Sequence, residues 1–219
     1  MSAYVIELVT LMTIFSLVIV SPGADLAMVL RQSMVHGRRA AIVTSFGLGV
    51  SLLFHISYTI LGLGAIISKS VALFNIVKWC GAAYLVYIGI KALRAGALTV
   101  EKTPPQDRTL ALSQKPVAEQ GLIKAFVLGF ATNALNPKPV FFFLSIFATV
   151  VSVHTPAMVR FGYGLVMASC LILWFVGVSY FMTTPRMRAA FSRVSKWIDR
   201  VSGVVFIGLG LKLVTEKAG

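Results

Sequence analysis

The sequence predicts an all-α integral membrane protein with six transmembrane helices. These form two inverted three-helix repeats, the first helix of each repeat broken at proline. Three observations lead to this fold class. Hydrophobic residues make up 58% of the chain and charged residues 12%, with mean hydropathy +0.88, the balance of a helix bundle in lipid rather than of a soluble domain. The apolar residues gather in runs long enough to cross the roughly 30 Å hydrocarbon core. Landmarks of the first half recur in the second.

The first helix is expected over about Tyr4–Val20. It meets Ser21-Pro22-Gly23-Ala24-Asp25 and resumes as Leu26–Leu30 before Arg31. No Lys or Arg precedes Arg31 and the apolar stretch is long, so it reads as a retained helix and not a signal peptide. A second run, Ala40–Ile67, carries His55 and no formal charge. The third helix is expected over Val71–Leu93, with Lys78 beside Trp79 as an interface anchor. Residues 1–93 thus form the first repeat. Residues 94–121, with Pro104-Pro105 and Pro116, form a cytoplasmic linker, and 122–219 form the second repeat. Its first helix lies in the apolar run from Ala125 to Val153, interrupted by Asn133-Ala134-Leu135-Asn136-Pro137-Lys138-Pro139. A continuous helix of that length would span about 43 Å, so Pro137 falls near the membrane centre. The fifth helix is expected over Phe161–Met182. Next, Met187, Phe191, Val194, Trp197 and Ile198 at helical spacing, opposite Arg188, Arg193 and Lys196, predict a basic amphipathic helix on the membrane surface. A sixth span is expected over Val201–Val214; without it the chain has five.

Pro22 to Gly47 and Pro137 to Gly162 are equally spaced, and Gly49 and Gly164 keep the same offset. Lys78-Trp79 recurs as Lys196-Trp197, and Gly81–Lys91 recurs less cleanly as Gly203–Lys212. Three is odd, so two such units enter the membrane in opposite senses. Basic residues set the orientation. The connections after the first, third and fifth helices hold Arg31, Arg38 and Arg39; Lys91, Arg94, Lys102, Arg108, Lys115 and Lys124; and Arg186, Arg188, Arg193, Lys196 and Arg200. The opposite side holds only Lys69, Lys78, Arg160, Lys212 and Lys217. Both termini are therefore expected outside the cytoplasm. The formal charge of +13 reflects this topology and not a nucleic-acid surface, because the cations are spread over short loops. Cys80 and Cys170 form no CxxC pair and read as small packing residues.

Chemistry concentrates at the two breaks. Pro137 and Pro139 cannot donate backbone hydrogen bonds, and broken backbone at that depth survives only beside protein or a wet cavity. An ammonium at a helix centre costs about 2.5–3.5 kcal/mol, which marks Lys138 as functional. The two half-helix N-termini are expected to face one region with free N–H groups and partial positive charge. Apart from Glu7 near the outer end, Asp25 is the acid deep in the apolar runs. Donors for a carboxylate and an acid for an ammonium match a zwitterion such as a free amino acid. Pro22, Gly23, Asp25, Asn133, Asn136, Pro137 and Lys138 are the expected binding residues. His55 joins them as a hydrogen-bonding or proton-relaying candidate, with a satisfied packing histidine as its alternative.

At these residues the chain resembles the lysine exporter and homoserine/threonine exporter family of bacterial amino-acid effluxers. Ser21-Pro22-Gly23-Ala24-Asp25 is similar to that family's Pro-Gly-Pro-Asp-like signature, with Ala24 where a second proline is frequent, and Asn136-Pro137-Lys138 matches its Asn-Pro-Lys. Lys78-Trp79-Cys80-Gly81-Ala82-Ala83-Tyr84-Leu85 and Lys196-Trp197-Ile198-Asp199 are also family-like. The resemblance implies export of threonine, homoserine or a related neutral amino acid across the inner membrane, driven by the proton motive force. It implies a multi-pass protein in contact with lipid, with no cofactor and with a homo-oligomer open. A membrane enzyme is disfavoured because His36, His55 and His154 are far apart in sequence and the spans hold no paired acids. A metal-ion exporter of related architecture and a passive channel are the remaining alternatives, although no His-rich or Cys-rich segment supports the former.

Overall fold

The computed structural model describes residues 2–69, 71–95, 121–152, 154–181 and 185–215. The linker therefore lies almost wholly outside the described residues, as do Lys102, Arg108, Lys115 and Lys217. Among the described residues all regular structure is helical: α1 Ala3–Val20, α2 Ala24–Val35, α3 Gly37–Lys69, α4 Val71–Arg94, α5 Leu122–Ala134, α6 Pro137–Val150, α7 Ala157–Phe181 and α8 Pro185–Thr215. Helices over Ala3–Val20, Gly37–Gly62 and Ala157–Phe181 are long and apolar enough to cross a membrane. Leu122–Ala134 and Pro137–Val150 are shorter apolar helices.

Both expected breaks are present. Ser21, Pro22 and Gly23 separate α1 from α2, and Leu135 and Asn136 separate α5 from α6. The second break has a direct cause. In a continuous helix the Asn133 carbonyl would bond the N–H of residue 137, and proline has none. The chain instead closes a tight turn, Asn136 N–H to Asn133 O at 3.0 Å. Asn136 Oδ1 then caps the new helix by accepting from Lys138 N–H at 3.0 Å, which places Pro137 at the first helical position where its ring is tolerated.

Glycine sets how closely the helices approach. A Cβ on Gly47 would collide with the Phe126 backbone and one on Gly129 with the Thr44 backbone, so α3 and α5 touch main chain to main chain. Thr44 Oγ1 donates to the Ala125 carbonyl at 3.1 Å, and His55 reaches Asn133 further along, so these two helices run parallel. α3 and α7 run antiparallel, with Gly49 against Ile172 and Gly164 against Ile56. α4 and α8 are also antiparallel: Gly89 meets Gly203, Gly81 meets Leu213, and Lys78 Nζ donates to the Val214 carbonyl at 3.2 Å. Between them Leu11, Phe15, Phe142, Phe143, Met167 and Phe206 form one core.

At one end of the bundle Glu7 ties α1 to the α6–α7 connection. Its carboxylate accepts from Ser152 N–H at 2.9 Å, from the Thr155 hydroxyl at 3.0 Å and from the Tyr163 hydroxyl at 2.9 Å. Lys212 Nζ donates to the Thr149 carbonyl at 2.8 Å at the same end.

Three expectations are corrected. The surface helix and the sixth span are one unbroken helix, α8, which at 31 residues is about 46 Å long. Its apolar side, with Trp197 65% exposed beside Val194, Val201 and Val204, faces outward, while Ser195, Asp199, Ser202 and Phe206 face inward. Lys78 is buried and its ammonium donates to the Val214 carbonyl near the end of α8 instead of acting as an interface anchor. Cys80 is exposed and does not pack inside, whereas Cys170 is half-buried.

Candidate functional site

The two breaks meet inside the bundle. The amides opening α2 carry no side-chain cap at Gly23, so the N-terminus of this 12-residue helix offers open donors. The α6 start differs from expectation. Pro137 and Pro139 lack N–H groups, and the Lys138 N–H is taken by Asn136. Its donor is the Lys138 ammonium itself. A Cβ on Gly23 would lie 3.9 Å from Lys138 Nζ, an ordinary contact distance, so the ammonium stands beside the residue that precedes α2. The far side of the ammonium rests over the Phe206 ring, 5.1 Å from its centroid, a cation–π contact. Asp25 and Asp199 are the carboxylates that act on it through space.

Asp25 Oδ2 accepts from Asn133 Nδ2 at 2.8 Å, which joins the two breaks directly. Asp25 Oδ1 is buried with no protein partner. Asp25 lies on a cavity of about 50 Å³ whose wall includes Phe15, Asn133, Phe142 and Phe143. A second cavity, of about 500 Å³, is lined by Pro22, Tyr84, Lys91, Lys138, Asp199 and Phe206 and extends to Ala95 at the end of α4. Ser21, Gly23, Ala24, Asn136 and Lys138 belong to both walls. They form a septum between a small chamber holding Asp25 and a large one holding Asp199.

Of the expected residues, Gly23, Asn136 and Lys138 line both chambers, Pro22 the larger, and Asp25 and Asn133 the smaller. Pro137 starts α6 without lining either. His55 stands one layer back. It is 1% exposed, and its Nε2 lies 3.1 Å from the Asn133 carbonyl, which loses its helical donor at Pro137 and accepts from Asn136 N–H and from His55 instead. A carbonyl only accepts, so Nε2 carries the proton and Nδ1 accepts from the Tyr58 hydroxyl at 2.6 Å. His55 is thus a positioning residue for the break. His55→Ala is expected to cost about 1–3 kcal/mol by removing two hydrogen bonds, one to the Asn133 carbonyl and one from the Tyr58 hydroxyl. The check is a lower Tm in detergent together with reduced but measurable transport.

Asp199 was not among the expected site residues. Its signal is present as Ser195, Asp199, Ser202 and Phe206, a three-and-four spacing that forms one helix face. Dividing α8 near residue 200 hides that face. Ser21 Oγ donates to Asp199 Oδ1 at 3.3 Å, and Ser202 Oγ donates to the Leu17 carbonyl at 3.1 Å, so this face of α8 buttresses the first break.

Charged groups buried at the meeting of two interrupted helices, in a bundle with an apolar exterior, define a membrane transporter. The particular kind follows from comparison: residues 16–217 match the family of LysE type translocators, and the chain belongs to that family. It is 28% identical to the uncharacterized membrane protein YrhP of Bacillus subtilis (strain 168), over 94% of this chain and 97% of the relative. It is 30% identical to the threonine efflux protein of Salmonella typhi, over 91% and 93%. It is 28% identical to the homoserine/homoserine lactone efflux protein of Salmonella typhimurium, over 92% and 93%. No solved structure matches the chain.

Proposed function

We propose that this translocator exports a neutral amino acid, threonine, homoserine or a close relative, across the bacterial inner membrane in exchange for protons. The observation that carries the reading is the Lys138 ammonium set against the open α2 N-terminus, with a carboxylate in the chamber on either side. An α-amino acid supplies both complements: its carboxylate lies between Lys138 and the α2 amides, and its ammonium faces an aspartate. The names of the threonine and homoserine efflux relatives support this substrate class.

Two inverted three-helix repeats supply the moving parts. The reciprocal antiparallel pairs α3 with α7 and α4 with α8 support that arrangement, as does the recurrence of a broken helix at the start of each half. Both termini lie outside the cytoplasm in this reading, because the Lys- and Arg-rich connections mark the other side. The larger chamber then opens toward the cytoplasm at Lys91 and Ala95, while the Glu7 network closes the external end. That is the state in which an exporter loads.

Proteoliposomes loaded with a panel of labelled amino acids, with and without an imposed pH gradient, test the function. Saturable release of one or a few amino acids, accelerated by the gradient, is expected. Release that is insensitive to every ion gradient would indicate a passive channel, and no amino-acid flux at all would reject the reading. A topology reporter fused at Gly219 is expected outside the cytoplasm; a cytoplasmic reporter would reverse the orientation.

A further inference from the structure

We infer that Asp199 receives the ammonium of the incoming zwitterion, and that Asp25 takes it over only after the substrate passes the septum. The inference rests on the amino-acid reading above and divides one role between two acids. It starts from volume. The cavity beside Asp25, about 50 Å³, is a tenth of the size of the chamber beside Asp199, about 500 Å³, and holds a few waters rather than a substrate in this conformation. The chamber of about 500 Å³ has the room, and Asp199 is the acid among its described lining residues. Asp199 is only 6% exposed and accepts one hydrogen bond, from Ser21, at 3.3 Å. A carboxylate has about four acceptor sites, so most of its capacity is open to a donor in the chamber. Lys138, in the septum, feels both carboxylates.

The geometry gives an order of events. The substrate carboxylate engages Lys138 and the α2 amides while its ammonium meets Asp199. When the helix halves move, the carboxylate keeps its contact with Lys138, which faces both chambers. The ammonium is then exchanged from the acid on α8 to the acid on α2. A buried ammonium is never without a carboxylate, which avoids the cost of an unpaired charge in apolar surroundings.

The test is equilibrium binding to the full-length protein in nanodiscs. The probes are labelled threonine and homoserine, each competed with its des-amino analogue, 3-hydroxybutyrate or 4-hydroxybutyrate. The wild type is expected to prefer the amino acid over the analogue at least tenfold. Asp199→Asn is expected to weaken amino-acid binding about tenfold or more and leave analogue binding unchanged, so the preference disappears. Asp25→Asn is expected to keep the loading affinity but lose flux in proteoliposomes. A wild-type preference preserved in Asp199→Asn would overturn the inference alone, as would equal losses of amino acid and analogue, which mark a merely structural residue. Loss of loading in Asp25→Asn with none in Asp199→Asn would reverse the order and also overturn it. A wild type that binds and carries neither amino acid would overturn the exporter reading together with this inference.

Discussion

Lys138→Ala is expected to lower amino-acid flux about a hundredfold or more while the protein still inserts and purifies as a folded species. A hydrogen bond to a charged group contributes about 1.5–3 kcal/mol, and its removal leaves the substrate carboxylate buried beside two aspartates without its counter-charge. Lys138→Met, which keeps most of the side-chain bulk over Phe206, is expected to share the loss. Initial rates per reconstituted protein, with gel filtration of each variant, check the result. Near-wild-type rates in Lys138→Met would reassign the residue to packing. At the neighbouring Gly23 a Cβ would make an ordinary 3.9 Å contact with Nζ, so only a side chain longer than alanine would compete for the space beside the ammonium.

Gly129→Leu is expected to have the largest effect on stability. The contact of α5 with α3 is main chain against main chain, and a Cβ at residue 129 would meet the Thr44 carbonyl group and Cα. The obstacle is backbone, not the end of a flexible side chain, so the helices themselves must separate. We expect a cost of about 3 kcal/mol, at the upper end for overpacking, read as a fall in Tm in detergent. Gly162→Ala is the control. A Cβ there would meet nothing within 4 Å, and alanine favours a helix over glycine by about 0.5–1 kcal/mol, so its Tm is expected unchanged or slightly raised. The converse ranking would mean that α3 and α5 do not touch as described.

The broken helices were legible because proline acts locally. A missing N–H removes the helical partner of a known carbonyl, and a cation in an apolar run draws attention to the same place. The pairing of Asp25 with Asn133 was partly legible, since both flank breaks at the start of a half. What the sequence hid depends on three-dimensional neighbours. The division of α8 followed the change from mixed to apolar composition near residue 200, yet helical hydrogen bonding continues through that change. Basic residues outside and serines inside then share one helix. His55 was ambiguous because its partner is a main-chain carbonyl 78 positions away, and backbone acceptors leave no mark in composition. The closed α6 N-terminus was hidden for a similar reason: the same Asn136 that marks the motif consumes the amide that the motif was expected to offer.

The central claim is that an amino acid binds with its carboxylate at Lys138, between the two helix breaks. A structure of the protein with its transported amino acid bound tests this most directly. The account predicts a carboxylate oxygen about 3 Å from Lys138 Nζ, within reach of the Ala24 and Asp25 amides, and the ammonium against Asp199 or Asp25. An amino acid bound elsewhere in a transport-competent protein, with Lys138 contacting only protein side chains, would contradict it.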